Sequence, residues 1–252
     1  MLANSGMTAE KLTDVRMFVE APLSVGASVA CTPEQANYLV NVMRLAAGAE
    51  ILVFNGRDGE WRARLAEVGK RRCSLECLAL VRPQQDGPDV HYVFAPLKHA
   101  RLDYMVQKAT ELGVAHLQPV LTRRTVAARV NLERMQANAI EAAEQCGVLR
   151  VPTVGEPVKL ETLLTNWDAG RRLIFGDESA EVASPLAALA GMASGPLAVL
   201  IGPEGGFDPV ERTLLLEKSY ATAISLGPRV MRADTAAVAA LALVNAALGD
   251  WR

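Results

Sequence analysis

Three short segments of this chain concentrate the residue types that do chemistry. They are Phe175-Gly176-Asp177-Glu178, Ile201-Gly202-Pro203-Glu204-Gly205-Gly206-Phe207 and the run from Leu226 through Gly227, Arg229, Val230 and Arg232 to Asp234-Thr235. The second segment holds three glycines and a proline within five residues. Glycine tolerates positive φ and close backbone approach, so such a turn offers N–H and C=O groups to a small molecule. Glu204 at its centre would repel a phosphate. The segment matches neither the dinucleotide fingerprint nor the P-loop, and the chain has no nucleophile elbow. The third segment delivers Arg232 and Asp234 just ahead of a helix. A guanidinium beside a glycine loop meets a carboxylate, a phosphate or a developing anion. The structural alternative is an ion pair between Arg232 and Glu204 or Asp234. For Asp234 the alternative is a helix cap formed with Thr235.

The surrounding pattern says what holds these segments. Alternation of apolar runs with helical periodicity predicts strands at 91–95, 116–121, 172–176, 197–201 and 221–226. It predicts helices at 101–112, 131–146 and 233–248. Gly113 and Gly147 stop the first two helices, and Asn131 caps the second. Strands alternating with helices imply a mostly parallel sheet covered on both faces. All three segments then follow strands at their carboxyl ends, where open α/β sheets bind ligands. Ahead of this region, residues 50–55, 60–68 and 72–81 read as strands around an Asn-Gly turn, with a short helix at 33–45 carrying Tyr38, Leu39, Val42 and Met43 on one side. The expected organisation is a flexible tail at 1–15, a small β-barrel-like domain at 16–82, a Pro/Gly linker at 83–90 and an α/β domain at 91–252.

Composition excludes several classes. Half the residues are apolar, a fifth are charged and the net charge is −2, so a packed core is expected rather than disorder. No apolar run reaches the length of a membrane span, and no secretory signal is visible, so a cytoplasmic enzyme without a membrane partner is expected. Cys31, Cys73, Cys77 and Cys146 are too few and wrongly spaced for a disulfide scaffold or zinc motif, and His91, His99 and His116 lack metal-ligand spacing. No metal site is expected. The charge is uneven: residues 91–150 hold eight Lys/Arg against five Asp/Glu, and residues 151–252 hold eight against twelve. Lys98, Arg101, Arg123, Arg124 and Arg150 are the candidates for phosphate contacts on a basic face; the alternative is a solvated helix surface.

The strings LKHARLDYMVQKATELGV (97–114), IEAAEQCGVLRVP (140–152), LIGPEGGFDPVE (200–211) and LGPRVMRADTA (226–236) resemble the RsmE-type 16S ribosomal RNA uracil N3-methyltransferases of the SPOUT superfamily. MFVEAPL (17–23) and VMRLAAGAEILVFNGRDGEWRA (42–63) are similar to the PUA-like RNA-binding domain of that family. The resemblance implies a C-terminal trefoil knot, which generic topology rules would not predict. It implies a homodimer, and S-adenosyl-L-methionine bound mainly through backbone groups. In this sequence the matching cofactor positions are Phe175 and Gly176, then Ile201, Gly202, Pro203, Glu204, Gly205 and Gly206, then Leu226, Gly227, Val230 and Arg232. It implies methyl transfer to N3 of a uridine in 16S rRNA of the small ribosomal subunit, with Arg232 on the uracil and Glu204 or Asp234 as base. The chain departs from the family pattern where Asp234 replaces a usual glutamate and Ala36-Asn37-Tyr38 replaces a histidine-bearing stretch. Two other readings stay open at this level: a non-catalytic RNA-binding protein of the same fold, and a methyltransferase of the superfamily acting on another RNA.

Overall fold

A computed structural model of the chain describes residues 15–69, 72–127, 129–180 and 184–251. The expected flexible tail lies, apart from Val15, outside the described residues. Two compact units divide between Gln85 and Asp86, inside the stretch Pro83–Pro88 that carries two prolines, a glycine and no apolar side chain.

The first unit is a five-stranded sheet in the order β1-β3-β4-β5-β2, with β1 (Arg16–Phe18), β2 (Ser28–Ala30), β3 (Glu50–Phe54), β4 (Glu60–Val68) and β5 (Cys73–Arg82). β1 runs parallel to β3 and the other pairs are antiparallel. The β3–β4 turn has an identifiable cause. Asn55 Oδ1 accepts the N–H groups of Arg57 and Asp58 at 3.0 and 2.8 Å, an Asx turn. Gly59 closes it at φ 83°, where a Cβ would stand 2.4 Å from the Arg82 carbonyl. Ile51, Val53, Trp61, Ala63, Leu65, Leu75 and Cys77 point inward at period 2 and form the core. Glu60 is buried there between Arg16 Nε at 2.6 Å and Arg82 Nε at 2.7 Å. Burial raises its pKa, but the hydrogen bonds and charges of Arg82 and Arg16 outweigh this and hold the carboxyl below its ordinary range. A short helix, α1 (Pro33–Ala36), opens on a capping box formed by Thr32 and Gln35 and runs on as a π turn over Asn37–Val42. Of the four residues expected on one side of this helix, Leu39 is buried and Tyr38, Val42 and Met43 are exposed.

The second unit is built on a parallel sheet. Its path is β12-β10-β11-β6-β7-β8, and β9 also pairs with β7. The strands are β6 (Val90–Phe94), β7 (His116–Leu121), β8 (Thr153–Val154), β9 (Val158–Lys159), β10 (Arg172–Gly176), β11 (Leu197–Ile201) and β12 (Ala221–Ile224). The helices are α2 (His99–Glu111), α3 (Leu132–Cys146), α4 (Leu160–Thr165), α5 (Pro185–Leu189), α6 (Pro209–Leu216) and α7 (Ala233–Leu248). Successive side chains of a strand serve opposite faces. Leu197, Val199 and Ile201 pack with α2, α3, α5 and α7, while Ala198 and Leu200 pack with α4 and α6. This double cover is why the strands read as continuous apolar runs. On α2, Leu102, Met105, Val106 and Ala109 face inward; on α3, Met135, Ala139, Ala142 and Ala143 do. Asn131 caps α3 through the Arg134 N–H at 2.9 Å, and Gly147 ends it at φ 79°. The small residues of α7 allow close approach to the sheet and α2. Asn245 Nδ2, buried on that helix, donates to the Leu112 carbonyl at 2.8 Å.

Candidate functional site

Strands β12, β10 and β11 are neighbours and parallel. Their carboxyl ends therefore meet, and the three segments that follow them in sequence converge although some 50 residues separate the first from the last. They enclose a cleft of about 240 Å³. Of the expected cofactor positions, Gly176, Ile201, Gly202, Pro203, Glu204, Gly206, Leu226, Gly227 and Val230 line it.

The glycines of the cleft stand where a side chain has no room or no allowed backbone. A Cβ on Gly202 would stand 3.1 Å from the Phe207 ring, and one on Gly176 would stand 3.1 Å from Ile201 Cδ1. Gly206 has φ 68° and Gly227 has φ 102°. Backbone edges, not side chains, thus form much of the wall. That is the donor set an adenine, a ribose and an amino-acid tail require, and no lysine lines the cleft as a P-loop would need. S-adenosyl-L-methionine fits this chemistry.

Three expected positions sit elsewhere. Phe175 is fully buried on the α4/α6 face, edge-on to Phe207 at 6.1 Å between centroids; strand alternation turns it away from the cleft. Gly205 is outside the lining, and its carbonyl accepts Arg124 Nη1 at 2.7 Å. Arg232 is the exposed N-cap residue of α7. It makes no ion pair among the described residues, so the structural alternative of a bond to Glu204 or Asp234 is not what the fold shows. Asp234 is not the cap either. It lies inside the first turn, accepts the Thr235 N–H at 2.9 Å and faces Arg101 Nε at 4.0 Å. Burial first, and the Asp234 charge second, push the Tyr92 phenol well above its ordinary pKa. Glu204 is exposed on the wall of the cleft.

The wall also contains residues beyond the expected cofactor positions. Asp177 is buried and accepts Arg212 Nε at 2.9 Å and the Ser179 N–H at 3.0 Å. Arg212 reaches it from α6, 35 residues on. Asp177 follows Gly176 directly, so its position was legible; Arg212 had no local signal. Phe207, Met231 and Ala236 complete the apolar part.

The basic candidates divide in two. Lys98 is exposed at the start of α2, and Arg101 lies one turn on beside Asp234. Arg123 and Arg124 sit on a loop clamped to the second segment. Glu211, 1% exposed, accepts the Arg123 N–H at 2.7 Å and the Asp208 N–H at 3.1 Å. Arg123 Nη1 meets Asp208 at 3.2 Å. Arg150 has a different use. Its guanidinium donates to the carbonyls of Pro88 at 2.5 Å and Gly113 at 3.2 Å, and burial lowers its pKa. It ties the start of β6 to the end of α2. Of the other basic residues counted in that region, Arg134 is engaged with Asp103 and Lys108 with Glu111.

Among the described residues, no cluster of His, Cys, Asp and Glu could hold a metal ion, and no helix is long and apolar enough to cross a membrane.

Comparison with known proteins agrees with this geometry. The family model of the RNA methyltransferase domain matches residues 85–245, and that of the RNA methyltransferase PUA domain matches residues 32–77. A ribosomal RNA small subunit methyltransferase E from Synechocystis is 32% identical over 92% of this chain and 78% of its own length. A protein of the same name from Rickettsia conorii is 27% identical over 91% and 94%. The crystal structure of a ribosomal RNA small subunit methyltransferase E from Neisseria gonorrhoeae bound to S-adenosyl methionine superposes with TM-score 0.85 at 28% identity, covering 94% of this chain and 99% of that one. With a parallel α/β unit, a PUA-like unit and a family match over most of its length, the chain belongs to the RNA methyltransferase family.

Proposed function

We propose that this chain uses S-adenosyl-L-methionine to methylate N3 of a uridine in 16S rRNA of the small ribosomal subunit. The observation that carries this reading is the convergence of the three glycine-bearing segments on one cleft. Support comes from relatives of the chain that are named ribosomal RNA small subunit methyltransferase E.

The bound cofactor would supply an electrophilic methyl group on a sulfonium sulfur. The chain's own residues have three tasks. The backbone of 201–206 and 226–231 binds and orients, which can be worth ~7–11 kcal/mol when reacting atoms are well aligned. Uridine N3 carries a proton at neutral pH, and a carboxylate must take it. Glu204 is the exposed carboxylate of the wall, and Asp234 is the one oriented by a backbone N–H. A positioned base contributes ~10²–10⁴-fold. As the proton leaves, negative charge spreads over O2 and O4 of the uracil, and Arg232 stabilises it. The bond from sulfur to methyl breaks as the bond from N3 to methyl forms, and the proton ends on the carboxylate. N3 is on the Watson–Crick edge, so the uridine must be unpaired or extruded. Lys98, Arg101, Arg123 and Arg124 would hold phosphates. The resemblance also carries a trefoil-knotted C-terminal part and a homodimer, the last measurable by light scattering, and a ribosomal substrate is consistent with a cytoplasmic location.

The test is label transfer from S-adenosyl-L-methionine to small subunits from cells lacking this gene, followed by digestion to nucleosides. Label in N3-methyluridine is the expected result. Label in a ribose-methylated nucleoside, or cofactor binding without transfer, would overturn the assignment.

A further inference from the structure

The helix that opens the first unit ends in two backbone departures. Over Asn37–Val42 it widens to a π turn, closed by Met43 N–H to the Tyr38 carbonyl at 2.8 Å and Leu45 N–H to the Leu39 carbonyl at 2.9 Å. Arg44 follows at φ 56°, the one non-glycine residue at positive φ among the described residues. A helix that stops in this conformation normally carries glycine there, because an L side chain is strained in it. Strained residues and π segments both concentrate at functional sites.

The side chains at this end make an independent observation. Ala36 and Leu39 are buried in the core, and Val40 and Leu45 pack against it. Tyr38, Val42 and Met43 are 39%, 61% and 40% exposed. Asn37 and Asn41, also exposed, are joined by a 2.9 Å hydrogen bond. Arg44 is exposed and makes no ion pair among the described residues. An aromatic ring, a thioether and a guanidinium thus stand exposed within seven residues at the end of this helix.

We infer that this end, Tyr38, Val42, Met43 and Arg44, is where the first unit holds an unpaired stretch of the substrate RNA, with Arg44 on a phosphodiester and Tyr38 against a base. The inference rests on the proposed RNA substrate. Unpaired RNA is bound by aromatic faces and guanidinium groups together. The segment lies inside the match to the RNA methyltransferase PUA domain.

Arg44→Gly separates function from architecture, because it removes the charge and relieves the strain at once. The probe is a fluorescent single-stranded oligoribonucleotide containing the methylated uridine, with the full chain. Arg44→Gly is expected to raise the melting temperature by about 1–3 °C and to weaken RNA binding about five- to tenfold. The slope of log affinity against log salt should fall by about 0.7. Arg44→Ala should lose the same affinity without the thermal gain. Tyr38→Leu should weaken binding about threefold with the slope unchanged. Affinity for S-adenosyl-L-methionine should stay at the wild-type value in all three. RNA affinity and salt slope unchanged in Arg44→Gly would overturn the inference, as would a change in self-association alone, which would make this end a contact between copies. A wild-type chain that binds the RNA through Arg44 yet transfers no methyl would overturn the proposed reaction and leave this inference standing.

Discussion

The two ends of the parallel sheet use charged residues in opposite ways. At the amino ends of the strands Arg171, Asp89 and Arg150 are tied down. Arg171 grips Asp89 in a two-point pair at 3.0 and 2.8 Å and also donates to the Leu197 carbonyl at 3.0 Å. Asp89 lies 3.4 Å from His91, the His91 and His116 rings meet at a tilt with centroids 4.9 Å apart, and Arg150 bonds two carbonyls. At the carboxyl ends glycines replace side chains, and Arg232 and Glu204 face outward without an ion pair among the described residues. The amino end pins neighbouring strands together; the carboxyl end ties Asp177 to Arg212 but keeps Arg232 and Glu204 available for a ligand. An unpaired charge costs little while water covers it and gains value when a substrate displaces that water. The contrast is therefore one of purpose: Arg171 and Arg150 stabilise the fold at one end, and Arg232 and Glu204 are held in reserve at the other.

The largest expected effect tests the reserve. Arg232→Ala should lower the turnover of methyl transfer by about 10²–10³-fold, measured on small subunits at saturating cofactor, with the melting temperature unchanged. Retention of more than a tenth of the activity would remove Arg232 from the reaction.

A paired substitution tests the contrast itself. Gly202→Val should weaken S-adenosyl-L-methionine binding by at least about 30-fold by calorimetry, because its side chain meets the Phe207 ring and fills the cradle. Arg171→Ala should cost about 2–3 kcal/mol of stability in denaturant unfolding, since it leaves Asp89 and the Leu197 carbonyl short of a donor. The folded Arg171→Ala protein should bind cofactor normally. If Arg171→Ala abolished cofactor binding and Gly202→Val did not, the division between the two ends would be wrong.

Acid sharpens the same comparison. Burial first, then the charges of Arg171 and His116, lower the pKa of His91 from 6.5 to about 4. The unfolded chain thus takes up a proton between pH 6.5 and 4 that the folded chain refuses. Stability should be full above about pH 6.5 and should fall as pH drops toward 4, by about 1–3 kcal/mol from this group. Asp89, held below its ordinary pKa chiefly by Arg171, adds a further loss as pH falls through its folded value. His91→Gln should flatten the part of the profile between pH 6.5 and 4. An unchanged profile would show that the imidazole is not the acid-sensitive group.

The smallest effect separates two arginine-like roles. Lys98→Ala should weaken RNA binding about two- to fivefold and reduce the salt slope by about 0.7, with stability unchanged. Arg150→Ala should lower stability and leave that slope alone. Equal slopes in both variants would mean that Lys98 touches no phosphate.

Much of this was readable from residue order. The strands 172–176 and 197–201 stand out as apolar runs, Asn131 and Gly147 mark both ends of α3, and Gly202 to Gly206 announces a ligand turn. These are local properties, set by φ/ψ preference, capping and periodicity within a few residues. The elements that escaped notice, β1, β2, β8, β9, α4, α5 and α6, are two to eight residues long, too short for a period to register.

The misreadings have a common physical form. Phe175 belongs to the right strand but points to the other face. Tyr38 and Val42 share helical spacing with Leu39, yet Leu39 is buried and they are exposed. Arg124 and Arg150 look alike in sequence, yet one rests on the glycine loop and the other braces the sheet. By itself the sequence determined the alternation of strands and helices, the glycine turns and the family. Only the tertiary structure decided which of its charges are spent and which are free. A charge's partner lies across the fold, as Arg212 does for Asp177 and Glu211 for Arg123, and such pairings arise from strand order and packing rather than from any local preference.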